Sequence, residues 1–321
     1  MDVVMESRSG IGLPARVFLF LLRFWLRPLM RYAPFTPRVL RHAARMDTLT
    51  AVMLAPRGTV KVPVPFDGFP AEWVYGPGVS RRADGTGKVI LYFHGGGFMV
   101  GGLRSHRRMI ARLSAAAGVP ALSVAYRQLP STTLPGTVED CVAAYRYLLD
   151  QGFAAEEIII AGDSAGGFLT FAAPLQAIGE GLPAPGALVA ISPLTDLDHA
   201  AKLAHPNLRI DPFIPGPRLP EMNTLLLGGA ALDPLHSPVN GALAALPPTL
   251  IHCGSTEILR VDAELMAERL AAAGVPVTLV VWERQPHVFQ IFADFCREGL
   301  VSLAELGAFI REVPAAAERA A

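Results

Sequence analysis

Short apolar runs alternate with longer amphipathic stretches from about residue 88 to the end of the chain. Five runs have the composition of buried strands: 89–93, 121–126, 157–161, 248–253 and 275–282. Between and after them lie five stretches with helical patterning: 104–117, 138–151, 165–178, 261–273 and 299–312. Strands that alternate with helices predict an α/β fold, in which a mostly parallel sheet is covered by helices on both faces.

One stretch, residues 197–232, interrupts this alternation. It contains five prolines: Pro206, Pro212, Pro215, Pro217 and Pro220. Proline lacks a backbone N–H and fits poorly inside helices and central strands. The stretch is therefore predicted to be an insertion that lies outside the sheet.

The first 55 residues have a different character from the rest of the chain. One face of a helix predicted there carries arginines, at Arg16, Arg23, Arg27 and Arg31. The opposite face is apolar: Phe18, Leu21, Leu22, Trp25 and Leu29. Such a helix could lie on the protein body as a cap, or rest on a membrane or oily substrate surface. We favour the cap, because most amphipathic helices pack on their own protein.

The same segment does not have the pattern of a membrane span or a signal peptide. Its most apolar run, 17–22, is much shorter than the roughly 20 residues that a transmembrane helix needs. Arginines follow that run, and no small-residue cleavage site appears. The sequence therefore predicts no transmembrane segment. A peripheral membrane contact stays the alternative role of residues 1–55, which we call the N-terminal arm.

Composition and charge narrow the function classes. The 321 residues are 51% hydrophobic and carry 28 basic and 28 acidic side chains, so the formal net charge is zero. Neutrality argues against a nucleic-acid partner, since phosphate binding needs an excess of Lys and Arg. Three cysteines, Cys141, Cys253 and Cys296, lack the spacing of a disulfide framework or a metal site, which favours a reducing, cytoplasmic location. Residues 1–60 carry nine arginines and three acids, which favours docking of the arm on an acidic body.

The strongest local signal is the sequence Gly-Asp-Ser-Ala-Gly-Gly at residues 162–167. It follows a predicted strand and precedes a predicted helix, which is the setting of the G-x-S-x-G nucleophile elbow. Glycines beside Ser164 allow a tight, strained turn that exposes the serine hydroxyl. The same turn places the backbone N–H of Ala165 at a helix N-terminus, where a developing oxyanion is favoured.

A second signal is the sequence His-Gly-Gly-Gly-Phe at residues 94–98, directly after a predicted strand. Three glycines let backbone N–H groups approach a ligand closely, so Gly96 and Gly97 are the expected second half of an oxyanion hole. The alternative is a flexible surface loop, which the abutting buried strand disfavours. A dinucleotide fingerprint is excluded, because its third glycine would fall on Val100.

A catalytic serine needs a base and an acid that orients the base. Where the serine lies in a G-x-S-x-G elbow, the order along the chain is serine, acid, histidine, so both partners follow Ser164. His287 lies in the loop after the strand 275–282 and is the expected base. We disfavour the other downstream histidines, which lie in a strand or in and beside the insertion: His199, His205, His236 and His252. The loop after the strand 248–253 offers Glu257 as the acid. Asp262 falls in a predicted helix, which favours a cap or solvent role.

With these motifs the chain resembles the hormone-sensitive-lipase-like bacterial carboxylesterases of the GDSAGG type. The resemblance implies an α/β-hydrolase fold with a helical cap, built from segment 1–55 and the insertion 197–232 on a catalytic domain of residues 56–321. It implies Ser164 as nucleophile, His287 as base and an acid at Glu257. It also implies an oxyanion hole of three amides, from Gly96, Gly97 and Ala165. Members of the family use no cofactor or metal and often dimerise, so a homodimer stays an open alternative.

The resemblance is incomplete at the acid, where the family commonly has Asp-Pro-Leu and this chain has Glu257-Ile-Leu. Glutamate is one methylene longer, so its loop must lie slightly further back.

Asp163 is expected to fix the elbow by hydrogen bonding, and Asp140 to be a helix-start acid near the dipole. The arginines of 104–112 are expected on a solvated or salt-bridged face.

The expected function is that of a serine carboxylesterase acting on short-to-medium acyl esters, because the N-terminal arm should restrict the pocket. Amide or formamide hydrolysis is an alternative, since both reactions pass through a tetrahedral oxyanion. A ligand receptor on an inactive hydrolase scaffold is a third alternative. The presence of serine, acid and histidine in the right order speaks against it.

Overall fold

In the computed structural model, a central sheet carries the residues of both sequence motifs. The structure describes residues 3–8, 12, 24, 27–32, 34–44, 46–49, 54–81 and 85–314. Within that part of the chain the sheet has nine strands: β1 (Val4–Arg8), β2 (Val60–Pro65), β3 (Pro70–Tyr75), β4 (Val89–Phe93), β5 (Ala121–Val124), β6 (Ile158–Asp163), β7 (Ala187–Ile191), β8 (Thr249–Gly254) and β9 (Val277–Trp282). Their spatial order is β1-β9-β8-β7-β6-β4-β5-β3-β2. Only the pairings β2–β3 and β3–β5 are antiparallel.

Ten described helices surround this sheet: α1 (Arg27–Tyr32), α2 (Pro37–Ala44), α3 (Met46–Leu49), α4 (Leu103–Ala117), α5 (Leu134–Asp150), α6 (Ala165–Gly179), α7 (Ala200–Ala204), α8 (Leu219–Leu226), α9 (Arg260–Ala272) and α10 (Arg297–Glu312). One hydrophobic core forms between α5, α6 and α9 and one face of the sheet. A second core lies between the other face and helices α4 and α10. The central strands β4, β6 and β7 are buried throughout, because both of their faces are covered.

The predicted α/β architecture is confirmed, and its elements begin and end close to their predicted residues. The five predicted strands correspond to β4, β5, β6, β8 and β9, and the five predicted helices to α4, α5, α6, α9 and α10. Four strands were not predicted. β2 and β3 contain prolines, and β7 is a five-residue run with two alanines.

The N-terminal segment is not wholly helical, so the expectation of a helical segment over residues 1–55 is wrong for residues 4–8. These form β1, which pairs in parallel with β9 from Val4 opposite Thr278 to Arg8 opposite Trp282. A strand forms here because the exposed edge of β9 offers unpaired backbone groups. The helix predicted around Arg16 and Arg23 lies outside the described residues, as do Phe18, Leu21, Leu22 and Trp25.

The later part of the arm contacts the insertion. The Arg27 guanidinium donates hydrogen bonds to the carbonyls of Leu208 and Arg209, at 2.8 and 3.1 Å respectively. In return, Arg218 donates to the carbonyl of Arg31 at 2.8 Å. No helix of the described residues is long and apolar enough to cross a membrane.

The insertion folds as short helices and turns, and a buried ion pair attaches it to the body. Lys202 in α7 lies 2.6 Å from Asp262 in α9, and both side chains are 1% exposed. Lys202 also donates to the carbonyls of Asp196 and Asp198. The expected cap or solvent role of Asp262 is therefore wrong: its other oxygen accepts from the amides of Thr195 and Asp196. The solvent role fails because a second segment covers the first turn of α9.

Replacing Lys202 with methionine tests this attachment. The Lys202→Met change keeps an apolar stem but leaves Asp262 as an uncompensated buried charge, which costs about 3–5 kcal/mol. Urea unfolding should therefore show a loss of that size in the free energy of unfolding. The matched control is Arg146→Met, which breaks the largely exposed Arg146–Glu180 pair and should cost less than about 1 kcal/mol. Equal losses in the two variants would contradict the assigned role of the pair.

Candidate active site

Ser164 occupies a strained turn between β6 and α6. Its φ of 55° and ψ of −115° lie in a region that residues other than glycine rarely adopt. A Cβ atom on Gly162 would lie 2.3 Å from the Gly166 carbonyl oxygen, and one on Gly166 would lie 1.9 Å from that of Phe93. Glycine is therefore needed on both sides of the serine. The turn places the Ser164 hydroxyl at the N-terminus of α6.

The carboxyl ends of the neighbouring strands bring two further predicted residues to this serine. Glu257 follows β8, and His287 follows β9. The His287 Nε2 atom lies 2.8 Å from the Ser164 Oγ atom. The His287 Nδ1 atom lies 2.5 Å from the Glu257 Oε2 atom. Because an ionised carboxylate only accepts hydrogen bonds, Nδ1 donates to it and the neutral ring presents Nε2 as an acceptor to the serine.

Glu257 is fully buried and is held at both oxygens. Its Oε1 atom accepts from the Gly254 amide at 2.6 Å and from the Ser192 hydroxyl at 2.8 Å. The Ser192 hydroxyl in turn accepts from the Val288 amide at 3.1 Å. Ser192 thus links the acid to the residue after His287. The sequence did not predict this role of Ser192, because no local pattern marks the residue.

The charges around His287 favour its protonated form. Burial by itself acts to lower the pKa of His287, but the facing Glu257 carboxylate raises it above the ordinary value. Asp211 and Asp163 add to this effect. A raised pKa makes the imidazole a stronger base toward the serine proton.

The glycine loop after β4 lies against the elbow. Gly96 and Gly97 have φ angles of 122° and 63°, where a side chain would be strained, and the Gly96 carbonyl accepts from the amides of Met99 and Val100. Within the described part of the chain, no group accepts a hydrogen bond from the amides of Gly96, Gly97 or Ala165. These three predicted donors are thus free to bind an oxyanion.

Asp163 fixes the glycine loop to the elbow through buried hydrogen bonds. Its Oδ1 atom accepts from the Gly95 amide at 3.0 Å and from the Tyr92 hydroxyl at 2.8 Å. Its Oδ2 atom lies 3.4 Å from His106 Nε2. Burial acts to raise the pKa of Asp163, yet His106 and the hydrogen bonds lower it overall, so the carboxylate stays ionised. These contacts are consistent with the turn-fixing role expected for Asp163. The contact between Asp163 and His106 was not predicted from the sequence.

The first histidine of the glycine loop has a structural environment. His94 is fully buried, its ring stacks on Tyr126, and its carbonyl accepts from the Tyr126 hydroxyl at 2.5 Å. Desolvation lowers the pKa of His94 to about 4, so the ring is neutral near pH 7.

The remaining candidates have partners of their own. His252 lies in β8 and bonds to Ser302, and His199 bonds to Asn223. The expectation that Asp140 begins a helix is wrong, because α5 starts earlier, at Leu134. Asp140 forms an ion pair with Arg127 instead. The arginines of α4 form the expected salt-bridged face, through Arg107–Glu72, Arg108–Asp294 and Arg112–Asp294.

Two side chains of the insertion lie beside the site. The Phe213 ring meets the His287 ring edge to face, with centroids 6.2 Å apart. The Met222 sulfur lies 3.9 Å from the position that a Cβ atom on Gly97 would take. The insertion therefore forms part of the wall above Ser164. Among the residues that the structure describes, no cluster of His, Cys, Asp or Glu could hold a metal ion.

A family model and two related proteins place the chain in the same family of hydrolases. Residues 90–291 match the model of the alpha/beta hydrolase fold family. The chain is 38% identical over 296 residues to esterase LipU of Mycobacterium tuberculosis, covering 89% of this chain and 98% of that protein. It is 36% identical over 318 residues to carboxylesterase/phospholipase LipF of the same species, covering 96% and 84%.

Solved structures agree with these relatives. A crystal structure of a mutant of esterase E40 matches with a TM-score of 0.85 and 35% identity, over 94% of this chain and 99% of that one. A crystal structure of EstE5 soaked with p-nitrophenyl butyrate matches with a TM-score of 0.83 and 34% identity, over 94% and 98%.

Proposed function

The chain belongs to the alpha/beta hydrolase fold family, among its hormone-sensitive-lipase-like carboxylic ester hydrolases, and we propose that it is a serine carboxylesterase with a Ser164–His287–Glu257 triad. One observation carries this proposal. The hydroxyl, the imidazole and the carboxylate form a continuous chain of hydrogen-bond contacts at 2.8 and 2.5 Å. A nucleophile within reach of a base, and a base oriented by an acid, is the arrangement that acyl transfer requires.

In this mechanism Ser164 attacks the ester carbonyl while His287 Nε2 takes its proton. Glu257 holds the imidazole in the required tautomer and stabilises the imidazolium that forms. The amides of Gly96, Gly97 and Ala165 bind the oxyanion of the tetrahedral intermediate. The imidazolium then protonates the leaving alcohol. The alcohol departs, and the acyl group stays bound to Ser164. Water, deprotonated by His287, attacks this acyl-enzyme and releases the acid.

The acid loop is compatible with the longer glutamate side chain. Gly254 and Ser192 hold one oxygen of Glu257, and the other oxygen faces His287. Two donors on the oxygen remote from the imidazole hold the carboxylate in its orientation. A glutamate can thus do at this position what an aspartate does in most family members.

We propose that the preferred substrates are esters of short-to-medium acyl chains. Phe213 and Met222 of the insertion lie close to His287 and Gly97, so they limit the space around the reacting carbonyl. In the proposed domain organisation, the insertion and the part of segment 1–55 that follows β1 cap a catalytic domain of residues 56–321, whose sheet β1 extends. A relative from Streptomyces hygroscopicus, 39% identical over 75% of this chain, is named an acetyl-hydrolase, which agrees with a small acyl group.

The proposed location is the cytoplasm. The three cysteines, Cys141, Cys253 and Cys296, are free thiols and all are buried. Burial raises the pKa of each thiol, which keeps them protonated and unreactive. Buried thiols of this kind suit a reducing compartment.

Replacing Ser164 with alanine tests the nucleophile. Hydrolysis of p-nitrophenyl butyrate by Ser164→Ala should fall by about a thousandfold or more, because no other group can form the acyl-enzyme. The matched control is Ser131→Ala, at an exposed loop serine, which should keep the wild-type rate. Retained hydrolysis in Ser164→Ala would refute the proposed triad.

Two carboxylate variants test the acid. Glu257→Gln should lower kcat by about 10²–10⁴-fold, because the amide can bond to the imidazole in the wrong tautomer. Asp262→Asn breaks the pair with Lys202, so it should lower the stability of the fold but not the turnover of folded protein. Both variants are assayed well below their unfolding temperatures. If only Asp262→Asn abolished turnover there, the assignment of Glu257 would be wrong.

A series of p-nitrophenyl esters tests the substrate range. The value of kcat/KM should be highest for acetate to hexanoate and should fall steeply toward palmitate, because the walls formed by the insertion leave little room for long chains. Phe213→Ala should extend the range to longer chains. A wild-type preference for palmitate with activation at an oil–water interface would instead support a surface-binding role of the N-terminal arm.

A further inference from the structure

The insertion contributes a second buried carboxylate, which bonds to the acid loop. Asp211 is fully buried, and three backbone amides bind its side chain. The Oδ1 atom accepts from the amides of Phe213 at 2.7 Å and Ile214 at 3.0 Å. The Oδ2 atom accepts from the amide of Ile258 at 2.8 Å. One carboxylate therefore ties the insertion to the residue that follows Glu257.

A second side chain of the insertion holds the same loop. The Asn207 amide group donates to the carbonyl of Ser255 at 2.9 Å and to that of Glu257 at 2.8 Å. The acid loop thus makes three hydrogen bonds to the insertion through its own backbone. Its position, and with it the position of the Glu257 carboxylate, depends on the insertion being in place.

Asp211 also acts on the imidazole through its charge. Among the described residues, the carboxylates of Glu257, Asp211 and Asp163 raise the pKa of His287 against the effect of burial. Burial raises the pKa of Asp211 above its ordinary value, although His287 and the three amide donors act in the opposite direction. The three amide hydrogen bonds favour the ionised form of the carboxylate, which is the form that places negative charge near His287.

The same carboxylate positions a wall of the site. It accepts from the amide of Phe213, and the ring of that residue packs edge-on against His287. Asp211 therefore contacts the backbone of the substrate wall on one side and that of the acid loop on the other.

We propose that Asp211 is a positioning residue of the hydrolytic site, which fixes the acid loop and the Phe213 wall and adds negative charge near His287. This inference rests on the proposed Ser164–His287–Glu257 triad. Asp211 does not touch the reacting atoms; it acts through Glu257 and His287. It makes the insertion an electrostatic part of the active site as well as its wall.

The test compares three variants. Asp211→Asn removes the charge and turns an N–H donor toward the Ile258 amide. Asn207→Ala removes two hydrogen bonds to the acid loop without a change of charge. Asp198→Asn is the charge control, because Asp198 is an exposed carboxylate of the same insertion that only accepts from the Ala200 amide.

The expected results separate charge from structure. Asp211→Asn should lower kcat/KM on the order of 10- to 100-fold, the scale of a small misplacement of catalytic groups. Because a nearby negative charge favours the imidazolium, its removal lowers the pKa of His287, and the acidic limb of the pH–rate profile should move to lower pH. Asn207→Ala should lower kcat with the limb unmoved. Asp198→Asn should change neither quantity.

A spectroscopic readout keeps this test independent of catalysis. The downfield proton resonance of the His287 Nδ1–H group should titrate with a lower midpoint in Asp211→Asn than in wild type. In wild-type protein, the side-chain ¹³C resonance of Asp211 should shift with the same midpoint as His287, which requires no variant to fold.

An Asp211 resonance that is flat across the His287 titration would overturn the proposal. So would an Asp211→Asn protein with the wild-type His287 midpoint. Neither result would touch the proposed triad, which Ser164→Ala and Glu257→Gln test separately.

Discussion

The hydrogen bond between His287 and Glu257 is the interaction on which the rest of the site depends. It sets the tautomer of the imidazole, and only the correct tautomer presents a lone pair to Ser164. The carboxylate is fully buried, so the protein must supply every partner that water would otherwise provide. The surrounding contacts serve this requirement, and they come from four different parts of the chain: β8, the loop after β7, the loop after β9 and the insertion.

The elbow and the acid loop are stabilised in related ways. At the elbow, the strained Ser164 backbone is enclosed by glycines and by the strand ends that pack against them, and Asp163 ties the glycine loop to the same turn. At the acid loop, Ser192, Asn207 and Asp211 hold Glu257 and its neighbours. In both places a buried carboxylate accepts from one backbone amide and contacts a histidine: Asp163 with Gly95 and His106, and Glu257 with Gly254 and His287. Backbone strain and buried charge persist here because many contacts determine each position.

The sequence was most informative where chemistry and local pattern coincide. The runs 89–93 and 157–161 correspond to β4 and β6, and the two glycine motifs follow them directly, so these two central strands and the elbow could be predicted. His287 and Glu257 followed from the order of serine, acid and base along the chain. These predictions need only short-range pattern and the rule that parallel strands end at one edge.

Contacts between distant segments could not be predicted in this way. Lys202 and Asp262 are 60 residues apart, and Asp211 and Ile258 are 47 apart. Neither lysine nor aspartate carries a local signal that it will be buried. β1 was missed because its partner, β9, lies more than 270 residues later in the chain. Proline-containing strands such as β2 also violate the usual strand pattern.

The most direct measurement of the central claim is the capture of the acyl-enzyme. The protein is mixed with p-nitrophenyl butyrate, quenched in acid within the first turnovers and digested for mass spectrometry. We expect a butyryl group on Ser164 in wild type, and its accumulation in Glu257→Gln if deacylation slows more than acylation. A butyryl group on another residue in wild type, or hydrolysis of the ester with no covalent intermediate at Ser164, would contradict the account.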